Sequence, residues 1–139
     1  MKYIFTLLLT ICLAFTSYSK SNEISDNIDV SHYEIHLNEI NIAERTIDAT
    51  TTITLKTLSS IDKIEFELKS LTVTSVTSND VDVNDFSQDA DVLSIELDAS
   101  VPSNSTISLT INYNGNTFNE NWGGIHWSTD YVYNLGVGF

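Results

Sequence analysis

Three histidines, one acidic stretch and a single cysteine set the chemistry open to this 139-residue chain. His32 and His36 have the H-x-x-x-H spacing of a zinc-binding helix. On a helix that interval puts both rings on one side. On a strand, at about 3.3 Å per residue, they share a face but stand roughly 13 Å apart. One zinc ion, with Zn–N bonds of about 2 Å, cannot join them there. The local pattern is strand, so both histidines are expected to face solvent. His126 lies between Ile125 and Trp127 and is expected to pack or hydrogen-bond locally. Neither H-E-x-x-H nor a G-x-S-x-G elbow occurs. Gly136 and Gly138 form a glycine pair without a following helix, so they make no phosphate cradle. Asp80, Asp82, Asn84, Gln88 and Asp91 occupy positions 1, 3, 5, 9 and 12 of a calcium-loop frame. Position 6 is Asp85 rather than glycine, position 12 is aspartate rather than glutamate, and the flanks read as strands. Asp80, Asp82, Asn84 and Asp91 are therefore a weak calcium candidate beside the reading of a solvated acidic loop. Asn104-Ser-Thr106 is a glycosylation sequon where a host glycosylates such sites. No residue set here supports catalysis.

The elements that must carry these residues are strands. Tyr33, Ile35 and Leu37 alternate with His32, Glu34 and His36. Asn38 to Ala43 reads as a turn. Ile47, Ala49, Thr51, Ile53 and Leu55 alternate with Asp48, Thr50, Thr52, Thr54 and Lys56, in a segment rich in β-favouring threonine. Further apolar alternation runs through Ile64, Phe66 and Leu68, then Leu71, Val73 and Val76. Ser78 to Asp91 reads as a polar excursion holding Val81, Val83 and Phe86. Strand patterning resumes over Val92 to Leu97 and over Ile107, Leu109, Ile111 and Tyr113. The Pro102 to Ser105 segment and Asn114-Gly115 carry turn signals. Tyr131, Tyr133 and Leu135 hint at a last strand. No stretch offers an amphipathic helix, so the expected fold is all-β, an antiparallel sandwich or curved sheet.

The two ends depart from this pattern. Residues 1–19 read as a signal peptide. Lys2 is followed by the apolar run Tyr3 to Phe15, and Ser17 and Ser19 supply small residues for cleavage. The run is shorter than the roughly 20 residues a membrane span needs. The chain is expected to be exported to the periplasm, cell surface or exterior, with no membrane association after cleavage. Cys12 leaves with the leader, so no disulfide remains. Losing Lys2 moves the net charge from −13 to −14. An acidic surface of this kind repels phosphate backbones and excludes nucleic acid as a partner. Residues 20–29 form a polar leader, and residues 30–139 form one β-domain. All five glycines and both tryptophans fall within Gly115 to Phe139. That aromatic, glycine-rich tail ends on apolar Phe139 and is expected to pack against a body beyond this chain.

In order along the chain, several stretches resemble the N-terminal domain of aminopeptidase N-type (gluzincin) zinc metallopeptidases. Val30-Ser-His-Tyr-Glu-Ile-His-Leu37 resembles the family's opening V-x-H-Y-x-L-x-L strand. Ile47 to Leu55 and Ile64 to Val76 are similar to its threonine-rich strand and the segment after it. Leu93 to Leu97 and Ile107 to Gly115 resemble its paired strands ending in Y-x-G. The segment from Gly123 to Phe139 is similar to the G-G-F-Y-x-S stretch of exported bacterial members, with Ile125-His126 in place of the aromatic pair. The resemblance implies a curved, mostly antiparallel β-domain that packs against a catalytic domain. It places the zinc ligands, the general base and the residue that holds the substrate's amino group outside this chain. No catalytic, cofactor-binding or metal residue carries over. The expected role is that of a non-catalytic N-terminal fragment, not itself an enzyme. It would scaffold a catalytic domain and shape one wall of the substrate cleft. Zinc and peptide substrate would belong to the parent enzyme alone. The alternative is a self-contained secreted binding module. Its carbohydrate- or protein-binding face would be built from Trp122, Trp127, Tyr131 and Tyr133.

Overall fold

A computed structural model describes residues 26–120 and 123–134. Residues 1–25, which hold the expected signal peptide and most of the expected polar leader, lie outside the described residues, as do Trp122 and residues 135–139. The described chain is all-β, as its alternation predicts. Its strands are β1 (Ile28–Asn41), β2 (Thr46–Thr57), β3 (Ile61–Glu67), β4 (Thr72–Ser78), β5 (Val83–Asp89), β6 (Val92–Val101), β7 (Thr106–Asn116), β8 (Asn119–Glu120), β9 (Gly123–Trp127) and β10 (Val132–Asn134). They form a four-stranded sheet in the order β1-β2-β7-β4, a three-stranded sheet β3-β6-β5 and a small sheet β10-β9-β8. Every pairing is antiparallel.

The two larger sheets share one core. Ile47, Ala49, Ile53 and Leu55 of β2 and Ile107, Leu109 and Ile111 of β7 supply one side. Ile64 of β3 and Leu93, Ile95 and Leu97 of β6 supply the other. These are the positions the period-two pattern turns inward. Each large aliphatic side chain taken out of water contributes about 1.5–3 kcal/mol, so the central strands carry most of the stability. Two polar side chains join this core. The Thr51 and Tyr113 hydroxyls pair at 2.8 Å, and the Thr57 hydroxyl donates to the Pro102 carbonyl at 2.7 Å.

The edge strands break strict alternation, and bulges explain how. On β1 the apolar positions are 28, 30, then 33, 35, 37, then 40. The register shifts fall between Val30 and His32 and between Leu37 and Glu39. The extra residues Ser31 and Asn38 restore the inward phase of the residues after them. Thr74 on β4 and Asn84 on β5 do the same, bringing Val76 and Phe86 back toward the core side. The outermost strand on each side of both sheets carries an irregularity, β3 included. Such bulges twist an edge away from unwanted pairing.

Three local expectations are corrected. Asn38 to Ala43 is not a turn, because β1 runs to Asn41 and the turn occupies residues 42–45. Ser78 to Asp91 is not simply a loop, because it contains β5 paired along β6. Its polar composition follows from being an edge strand with one face in water. Asn114-Gly115 does not end a strand. β7 continues to Asn116, with Gly115 opposite Ile47, and the Asn116 amide donates to the Glu44 and Arg45 carbonyls. Pairing with β2 overrides the local turn preference.

Candidate functional site

The two seams between the large sheets are unequal. At the β4–β5 seam the Gln88 side chain acts as a piece of backbone. Its amide donates to the Leu71 carbonyl at 2.6 Å and accepts from the Val73 N–H at 3.1 Å. That laces the sheets together. At the opposite seam, between β1 and β3, there is a groove of about 980 Å³. Its floor is apolar, from Ile53 of β2 and Ile111 and Tyr113 of β7. One wall is the inner face of β1. Tyr33, Ile35, Leu37 and Ile40 of that strand are 53%, 60%, 50% and 42% exposed. The other wall is β3 with the residue after it: Glu65, Phe66, Glu67 and Leu68. Ile28 and Val30 at the start of that face join the core, whereas among the described residues nothing covers the face from Tyr33 to Ile40.

Charge on the groove walls comes from Glu65 and Glu67 of β3 and from Asp29 of β1. Lys63 donates to Glu65 at 2.7 Å, and Ser94 also donates to Glu65 at 3.0 Å. The Lys63 hydrogen bond, then that of Ser94, holds the Glu65 carboxyl below its usual range. The same bond from Glu65 raises the Lys63 ammonium. Glu67 has no ion-pair partner among the described residues.

A second exposed surface is the β9–β10 hairpin. Gly124 takes φ +80°, and a Cβ there would strike the Phe118 carbonyl oxygen and come within 2.9 Å of the Asn119 Cα. Glycine is thus required where β9 passes β8. Ile125 N–H donates to that same carbonyl at 3.1 Å. His126 stacks on Tyr133 with ring centroids 5.2 Å apart, and Tyr131 lies 6.1 Å from Tyr133. Tyr131 and Tyr133 are exposed, whereas Trp127 is half-buried and its indole donates to Thr117 at 2.8 Å. Three of the four aromatic residues of the expected binding face can therefore be placed, with Trp127 anchored and both tyrosines outward.

The structure separates the remaining candidates. His32 and His36 lie on β1 opposite Thr54 and Thr50, and His36 pairs with Glu34 at 3.1 Å. Asp80 and Asp82 sit in the β4–β5 loop, Asn84 is the bulged residue of β5, and Asp91 lies in the turn beyond that strand. An extended β5 of seven residues, at about 3.3 Å each, keeps Asp91 far from Asp80. The Asp80 carboxylate instead accepts the Ser108 N–H at 2.8 Å. Among the described residues no group of three or more His, Cys, Asp or Glu side chains could hold a metal ion. These residues do not fit zinc. What sequence reading missed is the open β1–β3 seam, whose only trace is the phase break at Ser31 and Asn38.

Comparison with known proteins agrees with this architecture. Residues 29–137 match the family model of the peptidase M1 N-terminal domain. No curated protein matches the chain by sequence. An M1 zinc metallopeptidase from Deinococcus radiodurans shares the fold with a TM-score of 0.60 and 22% identity, covering 68% of this chain and 22% of that one. A mutant of it bound to a Tyr-Ser-Ala substrate gives the same values. A two-domain M1 zinc metallopeptidase mutant bound to L-tryptophan gives a TM-score of 0.61 at 21% identity, over 71% of this chain and 23% of that one. The chain thus spans about a fifth of the length of the solved structures it resembles. With an all-β fold, antiparallel sheets and a family match across nearly every described residue, this chain belongs to the peptidase M1 N-terminal domain family.

Proposed function

We propose that this chain acts as the non-catalytic N-terminal domain of an exported zinc aminopeptidase. In that role it packs against a catalytic domain and forms part of the wall of the substrate cleft. The family match over residues 29–137 carries the reading. The H-E-x-x-H motif is absent from the sequence, so zinc and its peptide chemistry belong to the parent enzyme rather than to these residues. The outward tyrosines of the β9–β10 hairpin supply apolar surface suited to a contact between domains. Export rests on the apolar run and small residues of 1–19.

Two measurements test the reading. The purified chain, supplied with zinc and an amino-acid anilide, is expected to show no chelator-sensitive turnover. Such turnover would refute the non-catalytic role. The coding DNA past codon 139 is expected to continue in frame to an H-E-x-x-H motif. A stop codon at that point would remove the parent enzyme from the account.

A further inference from the structure

The geometry points to an added β-strand as the occupant of the β1–β3 seam, supplied by a partner segment that alternates aliphatic and basic side chains. The four-stranded sheet faces only three strands in the second sheet. The strand without a counterpart is β1. Opposite it, β3 ends the second sheet with one free edge. Glu65, Phe66, Glu67 and Leu68 are consecutive, yet all four line the same groove. Successive side chains of a strand point to opposite faces, so a groove touching four in a row runs along the edge of the strand. The unpaired N–H and C=O groups of β3 therefore border this space. A strand laid beside β3 would hydrogen-bond to that edge and cover Tyr33 and Ile35 of β1.

The side chains around the seam define what that strand must carry. Its inward residues would neighbour Ile64 and Phe66 on β3 and rest on the apolar wall of β1, so they must be aliphatic. Its outward residues would lie beside Lys63, Glu65 and Glu67. Lys63 already pairs with Glu65, which leaves the carboxylate of Glu67 as the net negative charge of that row. Opposite charges on directly paired strands attract. Asp29, on the β1 wall, is also acidic, and no lysine or arginine lines the groove. Lysine or arginine is the complement. The other seam cannot accept a strand in this way, because Gln88 already binds the exposed backbone of Leu71 and Val73 there. This strand site stands whether or not the chain serves a peptidase.

The test uses two synthetic ten-residue peptides, one alternating valine with lysine and one alternating valine with glutamate. Both are labelled for fluorescence anisotropy and titrated into the purified chain. The lysine peptide should bind about tenfold more tightly and slow amide exchange along β3. The double variant Glu65→Lys with Glu67→Lys should reverse that preference, since both residues lie on the outward face. Ile35→Lys on the exposed wall of β1 should weaken both peptides. Methylating the peptide backbone on its pairing edge should abolish binding. Equal affinity for the two peptides, no binding, or binding indifferent to the charge reversal overturns the proposal. So does concentration-dependent dimerisation that protects β3 without peptide, which would make a second copy the occupant. Competition by a fatty acid without any change in β3 exchange would instead mark a lipid groove.

Discussion

Thr57 has no exposed surface, and its hydroxyl is fully committed. It donates to the Pro102 carbonyl and accepts the Ser105 N–H at 3.0 Å, while its own backbone pairs with Ser105 and Asn104. One side chain thus fixes the turn between β6 and β7, where Asn104 adopts φ 67°. Thr57→Val keeps the shape but leaves the Ser105 N–H without its acceptor, while the Pro102 carbonyl still accepts from the Ser105 hydroxyl at 2.8 Å. The expected loss is about 1–3 kcal/mol, read as a lower urea midpoint at unchanged slope. An unchanged midpoint would show that water replaces the hydroxyl. Residue types alone did not reveal this role. Thr57 follows Lys56 in a threonine-rich run, and nothing local separates it from Thr50 or Thr54, whose hydroxyls meet Asn112 and Ser108 on the outer face. The calcium frame shows the same limit from the other side. Its oxygens were legible as types and intervals, but a strand spreads them along its length, so Asp80 serves the Ser108 backbone instead.

Strands were more legible than their joints. The central strands β2 and β7 follow strict alternation, because they pair with each other without a register shift, the bulges fall on their outer neighbours β1 and β4, and the inward face is buried along its length. Edge strands carry a weaker signal. β5 has an acidic, water-facing side and a bulge at Asn84, so its apolar residues Val83 and Phe86 fall out of phase. Gly115 carries a turn signal, yet it sits within β7 because β2 continues to pair beside it. Gly124 is the opposite case, where local geometry does require glycine. Gly124→Ala combines a positive φ with a collision against the Phe118 carbonyl. Forcing it should cost about 1–3 kcal/mol and release β9 from β8. Hydrogen exchange at Ile125 N–H, which donates to that carbonyl, should quicken while exchange in β2 and β7 stays slow. Equal acceleration throughout would show that the hairpin and the sandwich open as one unit.

At the scale of the whole molecule, charge opposes a fold that packing holds together. The chain carries 19 acidic side chains against 6 basic ones. The few ion pairs among the described residues, such as Lys63 with Glu65 and with Glu96, lie on the surface. Exposed pairs of this kind contribute little, whereas the summed repulsion of scattered carboxylates favours the expanded chain. Salt should therefore stabilise the protein. The Debye length falls from about 30 Å at 0.01 M to about 8 Å at 0.15 M, which screens carboxylates across the sheet while leaving the apolar core untouched. Melting temperature at neutral pH should rise between those two concentrations of sodium chloride, and sodium and potassium should act alike. A rise confined to calcium would instead mean that specific oxygen ligands converge somewhere on the acidic surface. A fall with added salt would mean that surface ion pairs outweigh the net repulsion, contrary to an excess of 13 negative charges.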